Sequence, residues 1–275
     1  MAKRHRTWNE QKYRRYIKEG RGQGTLSAYK PWIMIHDFPS LGMVSRVLGS
    51  TTGRIHHLLS NMELSYFYIL DWSDKVCDIR EQYPLLDIAA VLEIADKAGI
   101  RYPFDNLSGF PYVLTSDFLI TTPNGEMARS IKKKKDLDNP RVREKLEIER
   151  RYWAKHGVDW KLVTEDEINQ QKARNIEWLF QASGLPETFG NLDFFEECLS
   201  CFEDIYFRTD YSILMVAKEA ERRCQLDAGM GIRVFQYLVK SKRIPFYHRR
   251  DTGIKCCQRK EFYGEGIFTW VKRFA

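Results

Sequence analysis

Between Tyr112 and Lys133 the chain spells strand, tight turn, strand, and no other stretch leaves so little choice of fold. Tyr112 to Thr121 is rich in Val, Leu, Phe and Ile, and Pro123-Asn124-Gly125 follows with turn chemistry. Asn and Gly accept the backbone angles that a tight hairpin demands, so Met127 to about Lys133 is expected to return as the second strand. A hairpin this apolar must bury one face against other elements, which predicts a sheet covered by helices.

The flanking sequence supplies those elements. From Arg54 to Leu70, Ile55, Leu58, Leu59, Met62, Tyr66, Ile69 and Leu70 recur at steps of three and four, which predicts an amphipathic helix carrying Glu63 beside its apolar stripe. Val76 to Tyr83 alternates and stops at Pro84, as a strand does. Asn139 with Pro140 predicts a helix start, Gly157 its end, Trp160 to Val163 a further strand, and Thr164 with Glu167 a capping box opening another helix. The expected fold is α/β, a mixed sheet flanked by helices, over residues 54–183. Residues 1–53 read as a basic helix from Trp8 to Glu19, a flexible glycine joint at Gly20 to Gly24 and a loop-rich connection. Residues 184–275 read as a second, mainly α domain. Two helices, Tyr211 to Gln225 and Gly231 to Lys242, precede a possible wing hairpin at Pro245 to Lys260, a winged-helix pattern.

The hairpin also places chemistry. Asp117 sits on its first strand and Lys132 on its second, and adjacent strands can bring both side chains to one face. Hydrolysis of a phosphodiester needs a divalent ion that polarises the phosphate and activates water, and Mg²⁺ demands an oxygen shell built partly from carboxylates. Asp117 and Glu63 are the carboxylates available, and Lys132 can orient the water or stabilise charge on the phosphorane-like transition state. Helix glutamate, strand aspartate, turn, strand lysine is the order used by PD-(D/E)xK nucleases.

Charge agrees with a nucleic-acid substrate. Residues 1–30 hold nine Lys/Arg against two acids and residues 240–275 hold ten against three, so each end is +7. The whole chain is also +7, leaving −7 between them. Two basic ends fit contact with a phosphate backbone. No stretch reaches the roughly 18 apolar residues of a membrane helix, and six cysteines are too few and too unevenly placed for a secreted disulfide framework. The expectation is a cytoplasmic bacterial protein with reduced thiols and no membrane partner.

Five stretches then carry a resemblance: Arg14 to Gly24, Thr52 to Ser60, Asp78 to Leu85, Thr115 to Leu119 and Glu144 to Trp153. In this order they resemble the TnsA family, the endonuclease subunits of Tn-seven-like transposons and members of the restriction-endonuclease-like superfamily. The resemblance covers roughly residues 10–180. It implies a catalytic set of Glu63, Asp117 and Lys132, with Glu149 as a supporting carboxylate. It further implies Mg²⁺, with Mn²⁺ as a substitute, and cutting of the strand at the 5′ ends of the element. Double-stranded transposon ends, a DDE-type transposase and an AAA+ ATPase regulator are the implied partners. Where the family commonly has Gln-x-Lys this chain has Ser130-Ile131-Lys132. Serine is the poorer ligand, so the metal set becomes Glu63, Asp117, Ser130 and Ile131, with backbone carbonyls and water filling the shell. Lys134 shares strand parity with Lys132, but the distance to Glu144-Lys145-Leu146 favours Lys132.

Other residues attract weaker readings. His56 and His57, if helical, point about 100° apart and cannot share a metal, which favours packing or DNA contact. Cys198 and Cys201 have zinc spacing, with Cys256, Cys257 or His248 as partners. They nevertheless lie on one apolar helical face with Phe194, Phe195, Phe202 and Ile205, which favours core packing. Two alternatives stay open: a free-standing restriction or repair nuclease, and a catalytically inactive DNA-binding architectural subunit.

Overall fold

A computed structural model describes residues 7–37 and 43–245. The chain divides into two compact units, residues 1–170 and 171–275. The sequence had suggested boundaries near 53 and 183. Instead, the segment before residue 53 belongs to the first unit, and the helix after Gln170 belongs almost wholly to the second.

The first unit is built on a four-stranded sheet of β3 (Asp78–Pro84), β4 (Thr115–Thr122), β5 (Gly125–Ile131) and β6 (Asp159–Val163), in that spatial order. The first two pairings are antiparallel and β5–β6 is parallel, a mixed sheet as expected. The Asn124-Gly125 hairpin joins β4 to β5. The parallel step requires a crossover, and α4 (Pro140–Lys155) supplies it, with the Asn139 side chain accepting from Arg141 N at 2.9 Å. On one face of the sheet Leu119 and Ala128 share a core with Val91 and Ile94 of α3 (Ile88–Lys97) and with Ile148, Tyr152 and Trp153 of α4. On the other face Phe118 meets Tyr66 of α2 (Asn61–Asp71), ring centroids 5.9 Å apart.

Several sequence expectations need correction. The predicted helix over Arg54 to Leu70 is two elements. Residues 55–58 form strand β2 (Ile55–Leu58), paired antiparallel with β1 (Ser45–Leu48), and α2 starts only at Asn61. Ile55 is 54% exposed while His56 and Leu58 are fully buried, an alternation that fits a strand. His56 and His57 therefore stand on a strand and face opposite ways. Thr164 does bond Glu167, its N–H and hydroxyl both donating at 2.6 Å, but the pair closes a turn, and α5 (Gln170–Phe180) begins later. The glycine run is no flexible joint. Gly22 N donates to Lys30 O at 2.7 Å, and a Cβ at Gly22 would lie 2.2 Å from Pro84 Cγ. It is a close-packed turn after α1 (Glu10–Lys18).

The buried centre of this half is Glu81. Its carboxylate accepts from Arg54 Nη1 at 2.8 Å, from His57 N at 3.0 Å and from His56 Nδ1 at 2.8 Å. A carboxylate can only accept, so His56 carries its proton on Nδ1, and Nε2 lies 2.7 Å from the Thr52 hydroxyl. The network ties β2 to β3.

In the second unit α6 (Leu185–Phe189), α7 (Leu192–Arg208), α8 (Ile213–Cys224) and α9 (Met230–Lys240) follow α5. Phe195, Cys198, Leu199, Phe202, Val216, Ala217, Phe235 and Leu238 are buried. Gly231 lets α9 approach α8, since a Cβ there would lie 2.4 Å from Ala217 O. The expected helix pair is present, but from residue 246 the wing lies outside the described residues, as do His248, Cys256 and Cys257. Cys198 packs in the core, and no group of three His, Cys, Asp or Glu able to hold a metal occurs among the described residues.

Burial pushes the Glu81 carboxyl up, but hydrogen bonds from Arg54 and His56 outweigh it and hold it down at about 2. A depressed carboxyl contributes stability that is present above its ordinary value of 4.5 and is lost as pH falls towards 2. Glu81→Gln should therefore lower unfolding stability in urea at neutral pH by about 3 kcal/mol or more, because Arg54 is left buried without its counter-charge. The variant should also lack part of the acid-dependent loss between those pH values.

Candidate active site

The pairing between β4 and β5 stops at Phe118↔Arg129. Beyond that point β4 continues beside β3 to Thr115↔Pro84, and β5 beside β6 to Ile131↔Val163. Two strands that part leave backbone donors without partners, and one of these is met by Asp117. Its Oδ2 accepts from Ile131 N at 2.5 Å and from Lys132 Nζ at 2.8 Å. The Lys132 ammonium also donates to Ile131 O at 2.9 Å.

Glu63 arrives from the first turn of α2. Ser60 caps that helix, Glu63 N donating to Ser60 Oγ at 3.2 Å, and the Ser60 hydroxyl donates back to Glu63 Oε1 at 2.9 Å. Leu59 N fixes the other oxygen at 3.1 Å. The glutamate is thus held by its own capping geometry. One side chain that the sequence did not single out joins the two carboxylates: Gln82 Nε2 donates to Glu63 Oε2 at 3.2 Å and to Asp117 Oδ1 at 3.5 Å.

Glu149, on α4, forms a second layer. Its Oε1 accepts from the hydroxyls of Ser116, at 2.5 Å, and Ser130, and from Trp160 Nε1 at 3.1 Å, while Trp153 Nε1 donates to Ser116 Oγ at 2.6 Å. The Ser130 hydroxyl is therefore engaged with Glu149 and, at 3.0 Å, with Trp160. Lys134 pairs with Asp166 and stands apart from the carboxylates.

The electrostatics follow from burial. Glu63 is raised to about 7, first by desolvation and then by the negative charge of Asp117. Glu149 is likewise raised to about 7, chiefly by desolvation, against the opposing hydrogen bonds from Ser116 and Ser130. Desolvation pulls the Lys132 ammonium down, but Asp117 outweighs it and the net shift is upward. Two crowded carboxylates and a neighbouring backbone carbonyl at Ile131 are a donor set suited to Mg²⁺, which keeps several waters and needs only one or two protein carboxylates. A cation there would also relieve the repulsion that raises Glu63.

A carboxyl raised on folding stabilises the folded state below its ordinary value of 4.5 and loses that contribution as pH rises through about 7. In chelator, the melting temperature of the protein should fall as pH climbs through this window. Glu149→Gln should flatten part of the fall, and equal slopes in the two proteins would show that Glu149 is not buried in this way.

Comparison with known proteins identifies the family. Residues 73–165 match the model of the TnsA-like endonuclease N terminal, and residues 167–246 match the TnsA endonuclease C terminal. The transposon Tn7 transposition protein TnsA of Escherichia coli is 42% identical over 183 residues, which span 66% of this chain and 66% of that protein. The two matched regions meet a few residues before the two compact units divide, and the chain belongs to the TnsA endonuclease family.

Proposed function

We propose that this protein is the Mg²⁺-dependent endonuclease subunit of a heteromeric transposase and hydrolyses the strand at the 5′ ends of a transposon. The observation that carries the reading is the convergence of Glu63, Asp117 and Lys132 where β4 and β5 part, with Gln82 between the carboxylates. Glu63, Asp117 and the Ile131 carbonyl are the groups suited to hold the ion, which when bound would polarise the scissile phosphate. Mn²⁺ would serve in its place. Lys132, anchored on Asp117, orients the attacking water or offsets negative charge as the water oxygen adds to phosphorus. The O3′–P bond breaks, leaving 3′-OH and 5′-phosphate. Ser130 acts with Ser116 through Glu149, as part of the layer beneath the carboxylates.

The partners in this reading are double-stranded transposon ends, a DDE-type transposase for the 3′ strands and an AAA+ ATPase regulator. The E. coli relative is by name a transposition protein, which supports that setting. A cytoplasmic location belongs to the same proposal. Among the described residues no helix is long and apolar enough to cross a membrane. The basic ends would contact phosphate backbone. In the amino-terminal helix Arg14 is paired with Glu10 and Arg15 with Glu19, and the Lys12 ammonium lies over the Trp8 and Tyr16 rings.

Cleavage of transposon-end DNA with the reconstituted partners tests the site. Asp117→Ala and Lys132→Ala should each reduce 5′-strand cutting by roughly a hundredfold or more, as loss of a group stabilising the transition state does, and leave 3′-strand chemistry intact. Normal cutting by both variants would refute the assignment. Mg²⁺-dependent nicking of DNA by the purified chain alone would favour a free-standing nuclease instead.

A further inference from the structure

Gln82 has a backbone φ of +48° inside a strand, one of four non-glycine residues with positive φ among the described residues. That region is disfavoured for any residue with a Cβ, and such strain concentrates where function needs it. The consequence is visible in what its neighbours touch. Side chains along a regular strand alternate between faces. Here Glu81 bonds Arg54 and His56, and Gln82, directly after it, bonds Glu63 at the start of α2. Tyr83 packs against Trp153 of α4, on the other face, with ring centroids 5.8 Å apart. Two successive residues of β3 thus serve the same layer.

The facing strand shows the same slip. Phe118 meets Tyr66 of α2, Asp117 shares the Gln82 amide with Glu63, and Ser116 bonds Glu149 on α4. Leu119 already lies in the α4-side core. With unbroken alternation Asp117 would sit on the same face as Leu119, across the sheet from Glu63. Register is constant on both sides, Glu81↔Phe118 and Tyr83↔Ser116, so Gln82 and Asp117 stand opposite one another at the point where both strands change phase. Three contacts hold the residue there. Trp32 N donates to Gln82 O at 3.2 Å, Thr115 Oγ1 donates to its Oε1 at 3.2 Å, and Nε2 faces the carboxylates.

We propose that Gln82 is a positioning residue of the metal site, its left-handed backbone turning Gln82 and Asp117 to the Glu63 face and its carboxamide setting the separation of the two carboxylates for a divalent ion. The proposal rests on the metal-dependent reading above and adds to it a residue outside the Glu-Asp-Lys set. Groups that orient metal ligands typically carry about 10- to 100-fold in metal affinity.

Glycine separates the two parts of the role, because it adopts positive φ without strain and has no amide. The test is calorimetric titration of the full chain with Mn²⁺, beside its thermal melt. Gln82→Gly should keep or raise the melting temperature yet weaken Mn²⁺ binding by about 10- to 100-fold. A purely structural glutamine would move the two readouts together, and Mn²⁺ affinity equal to that of wild type would overturn the proposal. Asp117→Ala is the control. If wild type and Asp117→Ala bind Mn²⁺ alike, the metal reading itself fails, and Gln82 fails with it. Should Gln82→Gly not fold, Gln82→Asn, which tolerates the same backbone with a shorter amide, carries the same expectation and the same overturning result.

Discussion

Like charges held away from water repel, and the first unit is arranged so that Glu63 and Asp117 can nevertheless share one corner of it. Each carboxylate has donors of its own: Ser60 and Leu59 for the glutamate, Ile131 N and Lys132 for the aspartate. Those donors exist because of the architecture. The first two come from a helix start, and the third is left over where β4 and β5 separate. Remove the separation and Ile131 N would be spent on a strand partner, leaving Asp117 without its shortest hydrogen bond. The sheet is imperfect where the two carboxylates sit, and the imperfection provides the donor.

The order of parts was legible in the chain. The Asn124-Gly125 turn fixes which two strands are neighbours, and a neighbour relation is enough to bring Asp117 near Lys132. Asn139-Pro140 and Gly157 bound α4 closely, because caps and stops are local chemistry. What local pattern could not show was anything decided by distant pairing. Residues 55–58 have helical spacing, yet they are drawn into a strand by β1, which lies in a stretch that reads as loop. The helix α3 is absent from the elements expected of the sequence, although Asp87 caps it by accepting from Ala90 N at 3.0 Å. Nothing in the letters around Gln82 announces a left-handed residue, since glutamine is no favoured occupant of positive φ. Its stretch stands out only through family resemblance, and its role needs the fold.

Ser130 shows how a departure from a family pattern can be absorbed. A serine reads as a weak metal ligand, and the structure gives its hydroxyl other work, beside Ser116 on one oxygen of Glu149. Two tryptophans, Trp153 and Trp160, close that cluster with indole donors. The carboxylate under the site thereby accepts from three neutral donors, Ser116, Ser130 and Trp160, with Trp153 behind Ser116, an environment that suits a group as easily protonated as Glu149.

The segment from Leu26 to Trp32 lies along the outer side of β3. Leu26 N reaches Asp78, the Tyr29 hydroxyl donates to Glu81 O, and Trp32 N donates to Gln82 O. An open strand border normally invites a second molecule to zip on, and here an earlier stretch of the same chain fills the seat. The family match begins only at residue 73, yet shortening the polypeptide to that point would strip this cover and Glu63 together. A minimal fragment drawn from sequence likeness would thus bare the border and lack one carboxylate of the proposed site, and the smallest self-contained piece is set by what shields the border.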